Sequence, residues 1–369
     1  MYCCNSYSNE LNSIKEDIEI GIIIGTSNFI VGCSNKFSIT DASNKKLKFS
    51  KGILRISCDK NGIYIADKYF LLSPIKIKPS NNIIFVESKP YRGYLIIKKF
   101  DNKLNIINVL NIDDYVRGVL YKEAGNNWNE EALKAHAVIS RTYAVANLSK
   151  HSSQGFDLCS TTHCQVYDGI IGIENNAYNK ALLLTECEFL TYNDKFANTV
   201  FHASCGGHTE SPQYIWNCKS IPPYLQGVKC DYCKDAPYSN WEQTLNECFI
   251  RTKLSNNNFN IGKIKKIKIK GKTITGATNE LEIFHSNGKL ILNAYQFRII
   301  VDALQIKSHY FYHIERDGDN FCFKGKGWGH KVGLCQWGAK TMAENGKSYK
   351  DILSYFYPGT EITKITYKR

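Results

Sequence analysis

Between Ile18 and about Ile107 the chain is written in short apolar runs broken by turn residues. Ile18-Glu19-Ile20-Gly21-Ile22 alternates, 52–59 and 62–67 are β-rich, and Ile83-Ile84-Phe85-Val86 and Tyr94-Leu95-Ile96-Ile97 follow at regular intervals. Strand-length text with Asn-Lys and Asn-Gly turns commits this stretch to a small all-β unit, and no catalytic grouping lies in it. The text changes after Asn111. Asn129 is a candidate N-cap, Glu130 and Glu131 complement the helix dipole, and Trp128 is placed to staple onto Leu133. An Ala-rich helix follows to about Leu148, a second is expected from Asn175 to Glu186, and two more over 339–344 and 349–355. Strand text near 189–192, 197–203 and 260–316 separates them. The expectation is an α+β fold: a β-rich platform over 1–107, then a mixed α/β domain over 108–369 whose 245–320 portion is β-rich.

The longest apolar runs, such as Ile22 to Ile24, are strand-sized, far short of the ~18 residues a membrane helix requires, so no transmembrane segment is expected. The 47 basic and 34 acidic residues leave a formal charge of +13. That balance suits an anionic polymer: nucleic acid, an acidic membrane or the bacterial wall. Only 8 of the basic residues are Arg, whereas phosphate and base recognition favours Arg forks, so no nucleic-acid partner is expected. The run Lys263, Lys265, Lys266, Lys268, Lys270 and Lys272 reads as a solvated edge strand protected by Lys. Fourteen cysteines in a chain too long to be a small disulfide scaffold, many beside His or one another, look more like metal ligands. The start, Met1-Tyr2-Cys3-Cys4, shows no basic segment followed by an apolar stretch, so either the chain stays inside or a leader preceded this start.

The most distinctive text is Asp113-Asp114-Tyr115-Val116-Arg117-Gly118-Val119-Leu120-Tyr121-Lys122-Glu123, followed by Trp128, the helix around His136, and Arg141-Thr142-Tyr143-Ala144. Further blocks follow in order: Asp157-Leu158-Cys159 with Thr162-His163-Cys164-Gln165-Val166-Tyr167, Ser204-Cys205-Gly206-Gly207-His208-Thr209-Glu210, and Pro223-Tyr224-Leu225. The last are Gly327-Trp328-Gly329-His330-Lys331-Val332-Gly333-Leu334-Cys335-Gln336-Trp337-Gly338-Ala339 and Tyr357-Pro358-Gly359-Thr360. In these blocks the chain resembles the stage II sporulation protein D family, which includes the amidase-enhancer proteins of bacterial cell walls.

The resemblance implies a peptidoglycan lytic transglycosylase that cuts between N-acetylmuramic acid and N-acetylglucosamine, with Glu123 at the position of the family's catalytic Glu. A single carboxyl group suffices: it protonates the leaving oxygen, then takes the proton of the sugar's own 6-hydroxyl as a 1,6-anhydro ring closes. A two-carboxylate hydrolase needs a second acid. Partial burial beside Leu120-Tyr121 is expected to raise the pKa of such a group. Gly206, Gly207 and the Gly327-x-Gly329 turn allow close backbone approach to a sugar, and His330, Gln336 and Trp337 offer hydrogen bonds and a stacking face; turns and core packing would explain them equally. Arg141 either orients a substrate carboxylate or caps structure.

Cys159-x3-His163-Cys164, with His151 eight residues earlier, is spaced for a tetrahedral zinc ion, and some members of the family hold zinc in this region. A second set is Cys230 and Cys233, with Cys205, Cys335 and Cys218 available from other blocks. The family tends to have Ser at the positions of Cys205 and Cys335, so their joint departure suggests that they share a closed Cys4 site with Cys230 and Cys233; disulfides are the alternative in an exported protein. Lys331 stands where the family usually has Gly. The expected partners are peptidoglycan glycan strands and a cell-wall amidase, and the expected location is the cell envelope. A different class of function, a non-catalytic glycan-binding enhancer of an amidase, carries the same blocks. Cys205 with His202 or His208 as a thiol nucleophile pair is a third reading.

Overall fold

The computed structural model describes residues 14–125, 128–170 and 176–367; Met1 to Cys4 and Asn175 lie outside the described residues. The fold is α+β and divides into two compact units, the first within Tyr7–Asn198 with Ile362–Arg369 and the second within Thr199–Glu361.

The first unit is built on two sheets. One runs in the order Leu158–Cys159, Asp17–Thr26, Lys103–Asn111, Tyr94–Phe100, Ile75–Pro79, Phe37–Thr40, Lys46–Phe49, and the other in the order Lys89–Arg92, Ile83–Val86, Asn28–Cys33, Gly52–Cys58, Ile63–Ile65, Tyr69–Leu71. The alternation read in the sequence is the alternation of burial: Ile75 and Ile77 are fully buried while Lys76 and Lys78 between and after them are exposed. Each such Ile contributes about 1.5–3 kcal/mol relative to leaving it in water. The boundary expected at residue 107 falls inside Lys103–Asn111, which pairs with Asp17–Thr26 on one side and Tyr94–Phe100 on the other. The N-terminal strands therefore share one sheet with the strand that leads into the first distinctive block.

Helix α1 (Ile112–Glu123) leaves directly from that strand, with the Asn111 side chain accepting the Asp113 N–H. Helix α2 (Glu130–Ala146) begins where the sequence placed it, the Asn129 side chain accepting from the Glu131 N–H. Helix α3 covers Asn176–Leu184. The strand Glu188–Tyr192 closes the unit, its Thr191 hydroxyl 2.7 Å from that of Thr363.

The second unit holds α4 (Pro212–Trp216), α5 (Glu247–Asn256), α6 (Ala294–Val301), α7 (Gln336–Glu344) and α8 (Tyr349–Phe356). Its three-stranded sheets are Trp241–Asn246, Asn320–Gly325, Phe311–Asp317 and Ile264–Lys272, Thr278–His285, Gly288–Asn293, in those orders. Within 245–320, α5 and α6 stand among the strands, each capped by an asparagine, Asn246 and Asn293. Ile250, Leu254, Phe297 and Val301 from these helices join Leu281, Ile283, Phe311 and Phe323 from the strands in one core. The lysine-rich strand Ile264–Lys272 is an edge, as expected, with Lys265, Lys266, Lys268, Lys270 and Lys272 exposed. Helix α7 starts three residues earlier than the sequence suggested, because the Cys335 sulfur caps it by accepting from the Gly338 N–H.

Candidate functional site

Glu123 is the last residue of α1, half-buried, at the end of the helix where unpaired carbonyls gather. The Val166 N–H donates to its Oε1 at 3.3 Å. The loop that supplies this N–H is fixed on both sides. Before it, the buried Tyr115 hydroxyl of α1 donates to Gln165 Oε1 at 3.1 Å. After it, the Tyr167 hydroxyl donates to Asn108 Oδ1 at 2.8 Å. Gly118 on α1 makes room for the Tyr167 ring: a Cβ there would lie 2.6 Å from Tyr167 Cε2. Beside the carboxylate, Lys122 pairs with Asp168 at 3.0 Å, and Asp168 also takes Lys89 at 2.6 Å. Tyr178 donates its hydroxyl to the Gly125 carbonyl at 2.7 Å, so α3 holds the chain just past the helix end.

The same loop carries two of the four residues expected to bind metal. His151 Nε2, Cys159 Sγ, His163 Nδ1 and Cys164 Sγ lie within 4.8 Å of one another. The two ring nitrogens are 3.2 Å apart, His163 Nδ1 is 3.7 Å from each sulfur, and His151 Nε2 is 3.5 Å from Cys164 Sγ. A tetrahedral ion with ordinary zinc bond lengths requires about 3.4 Å between nitrogens and about 3.6 Å from nitrogen to sulfur. The donor set fits, and it fits in orientation: His151 Nδ1 is 2.8 Å from Gln154 Oε1, the outer partner that turns Nε2 inward on a metal ligand. Cys159 is placed by the strand Leu158–Cys159, parallel to Ile20–Gly21. Hydrogen bonding, first from Cys164 and then from Thr161 and His163, holds the Cys159 thiol far below its ordinary value, at about 3, against the cost of burial.

Arg141, a candidate substrate contact, is fully buried. Its guanidinium holds Asp113 Oδ1 at 2.7 and 2.8 Å and the Glu188 carbonyl at 3.2 Å, tying α2 to the first turn of α1 and to a strand. These contacts are those of a structural tie.

Gly206, Gly207, His330, Gln336 and Trp337 belong to the second unit. The strands around Ser204 and Trp328 bridge each other with N–H···O bonds of 3.0 and 2.8 Å. Gly206 and Gly327 need to be glycine because these two backbones touch: a Cβ on Gly327, at φ 77°, would lie 2.6 Å from the Ser204 carbonyl. Gly207 instead faces open space at φ 115°. His330 packs between His202 and Trp216, ring centroids 5.6 and 5.1 Å away, and burial drives its imidazole well below the ordinary value. Gln336 is buried, and Lys340 sits 5.1 Å from the centroid of the Trp337 ring. Cys205, Cys230, Cys233 and Cys335 converge, with all four sulfurs within 4.8 Å and all four residues buried. Cys218 is instead taken up in a disulfide.

One buried constellation escaped the sequence reading. Glu210 is fully buried, its Oε2 accepting from the Thr273 and Thr275 hydroxyls at 2.7 and 2.6 Å, with His309 Nε2 3.9 Å away and the Ser211 N–H on Oε1 at 3.0 Å. Burial opposes its charge, but the nearby His309 and the bonds from Thr275, Thr273 and Ser211 outweigh that and hold the carboxyl down to about 2. Thr273, Thr275 and His309 come from chain positions more than sixty residues later, and no local spacing announces them.

A family model described as stage II sporulation protein matches residues 100–192, and one described as a domain of unknown function matches residues 233–333. An uncharacterized protein of Brachyspira hyodysenteriae is 34% identical over 273 residues, covering 74% of this chain and 72% of that protein. The amidase enhancer of Bacillus subtilis is 27% identical over 384 residues, covering 89% of this chain and 51% of its own length, so the chain spans about half of that relative. Stage II sporulation protein D of Bacillus subtilis is 28% identical over 269 residues, covering 69% of this chain and 74% of that protein.

Proposed function

From its membership of the stage II sporulation protein D and amidase-enhancer family, to which this chain belongs, we propose that it is a peptidoglycan lytic transglycosylase of the cell envelope with Glu123 as its one acid and base. The observation that carries this reading is the anchoring of Glu123: a half-buried carboxylate at the end of α1, held by the Val166 N–H inside the segment matched to the family. The protonated carboxyl gives its proton to the glycosidic oxygen as the bond to C1 of N-acetylmuramic acid breaks. The resulting carboxylate then takes the proton from the 6-hydroxyl of the same sugar, and O6 closes on C1. The proton returns to Glu123 and no water is consumed.

His151, Cys159, His163 and Cys164 would hold zinc. With all four positions taken by protein, the ion would supply rigidity and no reaction step. Its place is one residue from Gln165 and two from Val166, so it would steady the loop that touches Glu123.

The second reading, a glycan-binding enhancer of a cell-wall amidase, is favoured by the similarity to the Bacillus amidase enhancer. Incubating the whole chain with intact and with peptide-free glycan strands, alone and with a cell-wall amidase, separates the two. Soluble fragments ending in 1,6-anhydro-muramic acid in the absence of the amidase are expected. Faster amidase turnover without such fragments would establish the enhancer instead.

A further inference from the structure

We propose that Cys205, Cys230, Cys233 and Cys335 form a second, closed tetrathiolate centre for one thiophilic divalent cation, zinc or iron(II), whose charge is balanced by the buried ammonium of Lys331. Four thiolates around a tetrahedral ion of ordinary bond length require sulfurs about 3.8 Å apart. The four sulfurs here lie within 4.8 Å, Cys205 and Cys233 at 3.4 Å, well beyond the ~2.05 Å of a disulfide. The surroundings are those of thiolates. The Cys205 and Gly338 N–H groups both donate to Cys335 Sγ at 3.3 Å, and Cys335 stands at the N-terminus of α7, where the dipole favours negative charge. Space is reserved for sulfur as well: a Cβ on Gly338 would lie 2.9 Å from Cys230 Sγ.

The second observation is independent of the cysteines. Lys331 is fully buried, and its Nζ makes no hydrogen bond among the described residues. It lies 4.4 Å from the centroid of the Tyr310 ring, and its charge sits in the field of Cys205, Glu210, Cys233 and Cys335. A buried ammonium is costly unless anions compensate it. Loading four thiols releases four protons and leaves a centre of net charge −2, which Lys331 partly neutralises. Glu210 contributes one further negative charge. With no open position and all ligands buried, the centre is structural. It pins the turn before Gly206, the loop 230–233 and the start of α7.

The test uses the whole chain. Protein purified without added metal should lose one equivalent of zinc or iron when Cys230 and Cys233 are both changed to Ser, while Cys159→Ser with Cys164→Ser leaves that equivalent in place. Because the first variant could fail to fold, the unaltered protein is also denatured with chelator, without reductant, and alkylated. All four cysteines should then carry the label; resistance of any of them until reduction would identify a disulfide and overturn the centre. Elemental analysis tells zinc from iron, and neither metal in the Cys159/Cys164 variant would also overturn it. Lys331→Met should lower the affinity of this centre by at least ~10-fold in chelator competition, as loss of an outer partner does. Unchanged retention would refute the counter-charge.

Discussion

At the scale of single residues, the buried Arg141 and the buried Glu210 put charge to different uses. Arg141 and Asp113 hold helices together, so Arg141→Ala leaves a carboxylate without its partner and should cost about 3–5 kcal/mol in denaturant unfolding. Glu210 is a titrating reporter. Its carboxyl lies at about 2 in the folded protein against an ordinary 4.5. A depressed value means stability that is fully present above about pH 4.5 and lost as pH falls towards 2, on the order of 3 kcal/mol. Burial lowers His309 to about 4, and its stabilising neutrality is lost in the same direction. Unfolding followed against pH should therefore show a decline that begins near the ordinary 6.5 of His309 and steepens below about pH 4.5, and Glu210→Gln should make the lower part shallower. Arg141 was legible as a candidate because its block is distinctive; its role was not, because burial is decided by neighbours remote in sequence.

Elements show where sequence text fixes structure and where it misleads. Helix α2 announces itself with Asn129 and two acids in its first turn, and the chain obeys. Helix α6, Ala-Tyr-Gln-Phe-Arg-Ile-Ile-Val, is aromatic and β-branched and follows the strand text Lys289-Leu290-Ile291-Leu292, so it reads as strand; the Asn293 cap and the packing of Phe297 and Val301 in the core decide otherwise. The junction of α1 with the loop 164–167 was not legible, since it depends on a glycine leaving room for a ring. Gly118→Ala should push against Tyr167, cost about 1–3 kcal/mol, and lower glycan cleavage by displacing Val166 from Glu123. A melting curve and a product assay on the same variant check both.

Over the whole molecule, the sheet that carries Lys103–Asn111 explains why the first hundred residues cannot be separated from helix α1. A chain beginning at Asn108 would lose the neighbours Asp17–Thr26 and Tyr94–Phe100, and with Ile20 and Gly21 the strand that seats Cys159. It should fail to give a cooperative melting transition. The formal charge of +13 suits an anionic wall polymer, and adsorption to isolated sacculi should weaken as salt rises past a Debye length of ~10 Å at 0.1 M. No helix among the described residues is long and apolar enough to cross a membrane. The most direct test of the account compares the chain with its Glu123→Gln variant on peptide-free glycan strands, counting 1,6-anhydro ends by mass spectrometry. The variant, at an unchanged melting temperature, should release them at least ~100-fold more slowly; equal release from a folded Glu123→Gln protein would contradict the assignment.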